Sequence, residues 1–201
     1  MSAPIDFYFD FSSPYGYLAS EKIEEMAARH SRSVDWHPIL LGIVFKQTGA
    51  APLTMVPLKG DYSRRDMARS AQFHGVTDFR MPSKFPIPSQ APARIVLWQK
   101  ARERALAAKL VHALYRAFFI DDIDISAPEN AIAAAARCGI DAAAARAAID
   151  DPAIKDALKQ ANDEAIARGV FGSPFIIVDG EPFWGLDRLD QVDRWLATGG
   201  W

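Results

Sequence analysis

Cysteine is almost absent from this chain of 201 residues: Cys138 stands alone. A single thiol excludes an intramolecular disulfide and any zinc cluster built on several cysteines. The four histidines (His30, His37, His74, His112) are scattered, and none lies at metal-ligand spacing from another, so no metal is expected. No apolar run approaches the roughly 18 residues needed to cross a bilayer. The N-terminus opens straight into a strand-like run, with no charged-then-apolar leader. An excess of one charge is lacking too. Lys and Arg number 23 against 25 Asp and Glu, a net charge of -2, so no overall field points to nucleic acid or to an anionic membrane. The basic cluster Lys59, Arg64 and Arg65 reads as the solvated face of a helix. The expectation is a soluble protein of a reducing, cytoplasmic compartment.

What is present is apolar mass: 50% of the residues are hydrophobic, enough for a substantial core in one domain, or in one domain with a large insertion. Ile5 to Phe11 is rich in aromatics and predicts a strand. Ser12-Ser13-Pro14 breaks it, and Tyr15 to Arg29 follows at helical spacing. Pro14 suits the first turn of that helix, and either serine suits the cap. Val34 to Leu40 predicts a second strand, closing a right-handed βαβ unit. Residues 42 to 60 read as a loop, Asp61 to His74 as a helix, and Arg80 to Pro92, with Pro82, Pro86, Pro88 and Pro92, as an irregular connection. From Ala93 to about Gly169 the pattern is helical, with breaks near 126–128 and 138–141. Ser126 is expected to cap the helix that Pro128 and Glu129 open. Gly172 to Val178 then predicts a strand entered through Pro174, Asp179-Gly180 a hairpin turn, Glu181 to Gly185 a short strand, and Asp187 to Thr198 a closing helix. The order β-α-β, helical block, β-β-α predicts an α/β fold with one sheet of about four strands and a large all-helical insertion.

Three short segments carry chemistry. Ser12-Ser13 places hydroxyls at a helix N-terminus, where unpaired N–H groups and the positive end of the dipole stabilise a phosphate, carboxylate or thiolate. Helix capping alone also accounts for both serines. Ser173-Pro174 suits a cis turn at a strand mouth, and an ordinary trans proline on an edge strand accounts for it equally. Asp187 stands where the last helix begins, as a cap or as a partner for a ligand ammonium, with Arg188 as an ion-pair partner. In a βαβ…ββα sheet the first helix N-terminus and the proline-entered strand lie side by side, which gathers these segments into one place.

On Phe7-Tyr8-Phe9-Asp10-Phe11-Ser12-Ser13-Pro14-Tyr15, Pro38 to Lys46, Lys59-Gly60-Asp61-Tyr62, Phe85-Pro86, Val170 to Pro174 and Trp184 to Arg188, in that order and spacing, the chain resembles the 2-hydroxychromene-2-carboxylate isomerase family. More distantly it is similar to kappa-class glutathione transferases, within the disulfide-oxidoreductase A branch of thioredoxin-like proteins. The resemblance runs from Asp6 to about Leu196. It implies a thioredoxin-like domain (about 1–45 and 168–201) interrupted by a helical domain (about 60–167), glutathione as cofactor, a small aromatic substrate and a homodimer. The stretch that holds Cys-X-X-Cys in oxidoreductase relatives is Ser13-Pro14-Tyr15-Gly16 here, so dithiol exchange has no protein thiolate to work with.

By the resemblance, Ser13 acts on the glutathione sulfur, the backbone at Ser173-Pro174 pairs with the cysteinyl main chain, Asp187 takes the γ-glutamyl ammonium, and Lys59 serves the glycyl end or the mouth of the site. Leu186 replaces a polar family residue and offers only its backbone. Further departures are Ala50 after Thr48-Gly49 and Pro88-Ser89 after Phe85-Pro86-Ile87. Both fall in the expected substrate pocket, for which Lys46, Lys59 and Arg94 are candidate cations and Tyr15, Tyr62 and Trp184 candidate walls. Core packing is the alternative for each aromatic.

Overall fold

The computed structural model describes residues 3–201. Strand β1 (Ile5–Phe9) leads into helix α1 (Pro14–Arg29), and β2 (Val34–Pro38) returns parallel to β1. After a run of helices come β3 (Phe175–Val178), antiparallel to β1, and β4 (Glu181–Trp184), antiparallel to β3. The sheet order is β2-β1-β3-β4. Asp179 and Gly180, with φ of 51° and 94°, make the expected tight turn between β3 and β4. Helix α9 (Leu189–Thr198) closes the chain.

Strand alternation divides the packing. Ile5, Phe7 and Phe9 face the main core with Trp36, Ile176 and Val178, under α1 and α5 (Arg104–Phe119). Tyr8, Phe175 and Ile177 face the other side, with Val44 and Ala165. The main core is dense in rings: Phe9 meets Phe11, Trp36 and Tyr115, and Tyr115 meets Tyr17 and Phe119. Truncating one such ring to alanine typically costs about 3–5 kcal/mol.

Several boundaries differ from the sequence reading. The stretch expected as loop from 42 to 60 contains helix α2 (Leu41–Thr48), ended by Gly49 at φ 70°. Its glycine and β-branched residues read poorly as helix, but the Leu41 N–H donates to the Asp10 carboxylate at 2.6 Å and Val44 is fully buried. Tertiary contacts therefore outweigh local propensity. Helix α3 spans Lys59–Phe73 and α4 Gln90–Lys100, the latter starting inside the expected irregular connection. The helical block continues as α5, α6 (Pro128–Arg137), α7 (Ala142–Asp150) and α8 (Pro152–Ala167), with an unexpected break at 101–103. Ser126 does not cap α6: Ala127 holds the cap position, and the Ser126 amide and hydroxyl both turn back to Asp124. The last helix begins with a 3-10 turn, Leu186–Arg188, in which the Asp187 side chain caps nothing.

Candidate functional site

The site grows from the end of β1. The strand stops at Phe9, and Ser13 takes an extended conformation (φ -112°, ψ 108°) as N-cap of α1. Its Oγ accepts the Gly16 N–H at 3.0 Å and donates to the Ser173 carbonyl at 2.8 Å. The Ser173-Pro174 peptide is cis, as is Phe85-Pro86. Ser12 takes a different part: its Oγ accepts the Ile87 N–H at 3.1 Å, tying the proline-rich connection to the turn. The cap belongs to Ser13 alone. Gly16 is required here for close approach. A Cβ on it would stand 2.8 Å from Ser173 Oγ and 2.9 Å from the Tyr115 hydroxyl.

The second wall is the β3–β4 end. The Gly185 N–H donates to the Pro174 carbonyl at 3.1 Å, which brings the Leu186–Asp187 turn beside the cis loop. The Leu186 side chain is buried in the core, whereas Asp187 is exposed and paired with Arg188 at 3.2 Å. The Trp184 indole lies across Gly172 and packs edge-on against Phe171 at 4.9 Å. Trp184 is 55% exposed, so the ring forms a shelf at the mouth rather than a piece of core.

Helix α3 supplies the third side. The Tyr15 hydroxyl donates to Asp66 at 2.7 Å, and the Tyr62 hydroxyl to the other Asp66 oxygen at 3.4 Å. Burial raises the Asp66 carboxyl, but the bonds from Tyr15 and Arg69 outweigh it and hold the group below its usual range. Burial first, then the bond to the Asp66 anion, pushes the Tyr15 phenol well up, so it stays a neutral donor. Lys59, Tyr62 and Asp66 stand three and four residues apart, which puts Lys59 on the same helix stripe, exposed.

The expected residues therefore divide. Ser13, Ser173, Pro174, Leu186 and Asp187 share one junction, Trp184 rims it, and Tyr15 links it to Tyr62 on α3. Lys46 is exposed near the end of α2. Arg94 needs correction as a pocket cation. Its Nη1 donates to the Ile149 carbonyl at 3.1 Å and its Nε is buried, so it binds α4 to α7 instead. A register reading of α4 cannot reveal which neighbour a long side chain meets.

Sequence reasoning missed Asp10, Asp66 and Tyr115, and it names Ser89 only as a residue of the expected substrate pocket. Asp10 is 3% exposed. Its Oδ1 accepts the Ser12 N–H at 2.8 Å and its Oδ2 the Leu41 N–H, with the Ser89 hydroxyl close by. Its amide donates to Ser173 Oγ at 3.0 Å, and its carbonyl accepts from the Ser13 N–H and the Tyr115 hydroxyl. The available signal was an acid inside an aromatic run directly before the Ser-Ser-Pro break. Asp66 and Tyr115 carried none.

This donor arrangement fits a thiol ligand with a peptide backbone. Among the described residues, no protein acceptor takes the Tyr15 N–H in the first turn of α1, and none takes the Ser173 N–H beside the cis bond. Both donors stand beside the positive end of the α1 dipole.

Comparison with known proteins identifies the family. The profile of the DSBA-like thioredoxin domain matches residues 4–197. The 2-hydroxychromene-2-carboxylate isomerase of Sphingobium xenophagum is 30% identical over 98% of this chain and 99% of its own length. Glutathione S-transferase kappa 2 of Caenorhabditis elegans is 27% identical over 96% of this chain and 91% of its own. A solved structure of a 2-hydroxychromene-2-carboxylate isomerase superposes with a TM-score of 0.85 at 28% identity, covering 97% of this chain and 94% of that one. The chain belongs to the DSBA-like thioredoxin domain family and, within it, to the enzymes of the 2-hydroxychromene-2-carboxylate isomerase group, related to the kappa glutathione transferases.

Proposed function

We propose that this enzyme is a glutathione-dependent isomerase interconverting 2-hydroxychromene-2-carboxylate and trans-o-hydroxybenzylidenepyruvate. The observation that carries the reading is the Ser13 hydroxyl at the N-terminus of α1, set against the Ser173 carbonyl with no cysteine in the turn. Bound glutathione supplies a thiol that adds to the conjugated carbon and leaves again, so a double bond becomes single, rotates and re-forms with no net redox change.

The chain's own residues do the rest. Ser13 turns its hydroxyl hydrogen from the Ser173 carbonyl toward the sulfur, and the Tyr15 N–H and the α1 dipole add to the stabilisation of the thiolate. That shift brings a thiol pKa of about 8.5 toward neutrality. The Ser173 backbone next to Pro174 pairs with the cysteinyl main chain in the manner of an added strand. Asp187 takes the γ-glutamyl ammonium beside the Leu186 backbone, and Lys59 the glycyl carboxylate. Lys46 offers a cation to the acidic substrate, and Tyr15, Tyr62 and Trp184 wall its ring. The same reading has the enzyme cytoplasmic and homodimeric, which fractionation and sedimentation test.

A second reading, a kappa-like transferase or peroxidase, is favoured by the 27% identity to the kappa enzyme and by the Leu186, Ala50 and Pro88-Ser89 departures. Turnover of a benzylidenepyruvate against a chloronitrobenzene separates the two. The deciding experiment is the ultraviolet titration of bound glutathione. In wild type its thiol titrates well below the free value, and in Ser13→Ala it returns toward it. If wild type binds no glutathione, or the two proteins titrate alike, Ser13 only caps a helix and the fold serves as a non-catalytic module.

A further inference from the structure

The end of β1 holds a buried charge that the proposed reaction does not use. Asp10 is the one ionisable side chain among the buried polar residues Asp10, Ser13, Ser20, Ser63, Ser89, Gln99 and Asn162. No Lys, Arg or His stands within ion-pair distance of it among the described residues. The backbone N–H groups of Ser12 and Leu41 reach its two carboxylate oxygens, each a different one, and the Ser89 hydroxyl lies nearby. With both oxygens accepting, the arrangement suits the ionised form. The titratable side chain that faces it from α5 is Tyr115, whose hydroxyl goes to the Asp10 backbone carbonyl. Burial pushes the Asp10 carboxyl up, and the bonds from Ser12, Ser89 and Leu41 pull it back only in part.

Two helix N-termini meet at this carboxylate, with the start of a third beside it. Ser12 and Ser13 lead into α1, Leu41 is the first residue of α2, and Ser89 holds the cap position of α4. Neither α2 nor α4 has a side-chain cap of its own. Asp10 accepts the first N–H of α2 and the Ser12 N–H just before α1, and is the anion that these positive ends already hold. A second anion at the Ser13 turn therefore meets a field partly cancelled by a like charge one short turn away.

We infer that Asp10 is a positioning residue which, by its negative charge, limits how much thiolate forms at the Ser13 turn. The inference rests on the glutathione reading for its purpose: a sulfur nucleophile whose pKa falls too far attacks slowly, and the best attacking thiol has a pKa near ambient pH.

The test uses a sulfur carried by the chain itself. In Ser13→Cys the thiol pKa is read from the pH dependence of its alkylation, and again in Ser13→Cys with Asp10→Asn. The double variant is expected to titrate about one unit lower, a tenfold larger thiolate-to-thiol ratio. An unchanged or higher pKa overturns the inference. Tyr115→Phe in the Ser13→Cys background removes a hydrogen bond from the Asp10 backbone without touching the charge, and is expected to move the pKa by no more than a few tenths. A shift as large as that of Asp10→Asn would mean that packing, not charge, is at work.

If Asp10→Asn does not fold, the coupling is read in reverse with Asp10 intact. Coupling between two sites is reciprocal, so the carbon-13 titration of the Asp10 carboxyl in Ser13→Cys must lie higher with the sulfur carboxymethylated, which carries a negative charge, than with it carboxamidomethylated, which is neutral. Equal values overturn the inference. Because the probe needs no ligand, a wild type that fails to bind glutathione overturns the proposed function and leaves the Asp10 result standing on its own.

Discussion

Asp6 and Asp10 stand at the two ends of the same buried strand, and they are held in opposite ways. Asp6 meets cations: His37 at 2.8 Å and Arg168 at 2.7 Å, with Asp35, Lys100 and Arg104 completing the network. Burial raises the Asp6 carboxyl, but the bonds from His37 and Arg168 outweigh it and hold it below its ordinary value. Asp10 meets no cation among the described residues, only backbone and hydroxyl donors, and burial holds it above. The paired end resists a change of charge. The unpaired end is sensitive to any anion brought near, and that is the end where the helix N-termini open.

Asp10→Ala breaks the comparison most directly. It leaves the Ser12 and Leu41 N–H groups without an acceptor, each costing about 1–3 kcal/mol. The expected loss is about 3 kcal/mol or more by denaturant melting, with the amides of early α2 losing hydrogen-exchange protection.

The paired behaviour has a second example to test. His112 sits between Glu21 and Glu24. Burial lowers its pKa, but the two carboxylate bonds outweigh it and raise it to about 9. A folded pKa above the unfolded one means the contribution is complete below about pH 6.5 and lost as pH rises through the folded value. Melting curves of wild type against His112→Gln are expected to differ by about 2 kcal/mol near pH 6 and to converge above about pH 9.

Asp6→Asn is expected to be milder, about 1 kcal/mol, because Arg168 is half exposed and the pair is screened. Its sign is set by two groups. Asp6, lowered, contributes above about pH 4 and loses that as pH falls; His37, raised, contributes below about pH 6.5 and loses that as pH rises. The difference between variant and wild type is therefore greatest from about pH 4 to 6.5. A flat difference over that window would deny the network its role.

The smallest effect belongs to the rim. Lys59→Ala removes an exposed cation, and glutathione affinity is expected to fall about threefold at low salt and less at high salt, measured by calorimetry.

The rim and the strands are legible in the sequence because their signals are local. Aromatic alternation marks β1, the break at Ser12-Ser13-Pro14 marks the start of α1, and Asp179-Gly180 marks the hairpin. Ser13, Ser173-Pro174 and Asp187 are legible as neighbours because a βαβ…ββα order brings their segments together. Helix α2 is not, because its stability comes from the Asp10 carboxylate and the burial of Val44 rather than from its own residues. Arg94 is misplaced by sequence for the converse reason: its charge is visible there, but the carbonyl it meets, on α7, is not.

The sequence by itself determined the order of the strands with the helices that open and close the chain, the lack of a protein thiolate at the first turn and the serine that stands in its place. These follow from residue identity and short-range periodicity. Which of two adjacent serines caps α1, which cations remain open to a ligand, and that one aspartate ties the turn before α1 to the start of α2 were decided by tertiary structure. Hydrogen bonds between segments far apart in the chain form only once the sheet and the helical layer have closed around them.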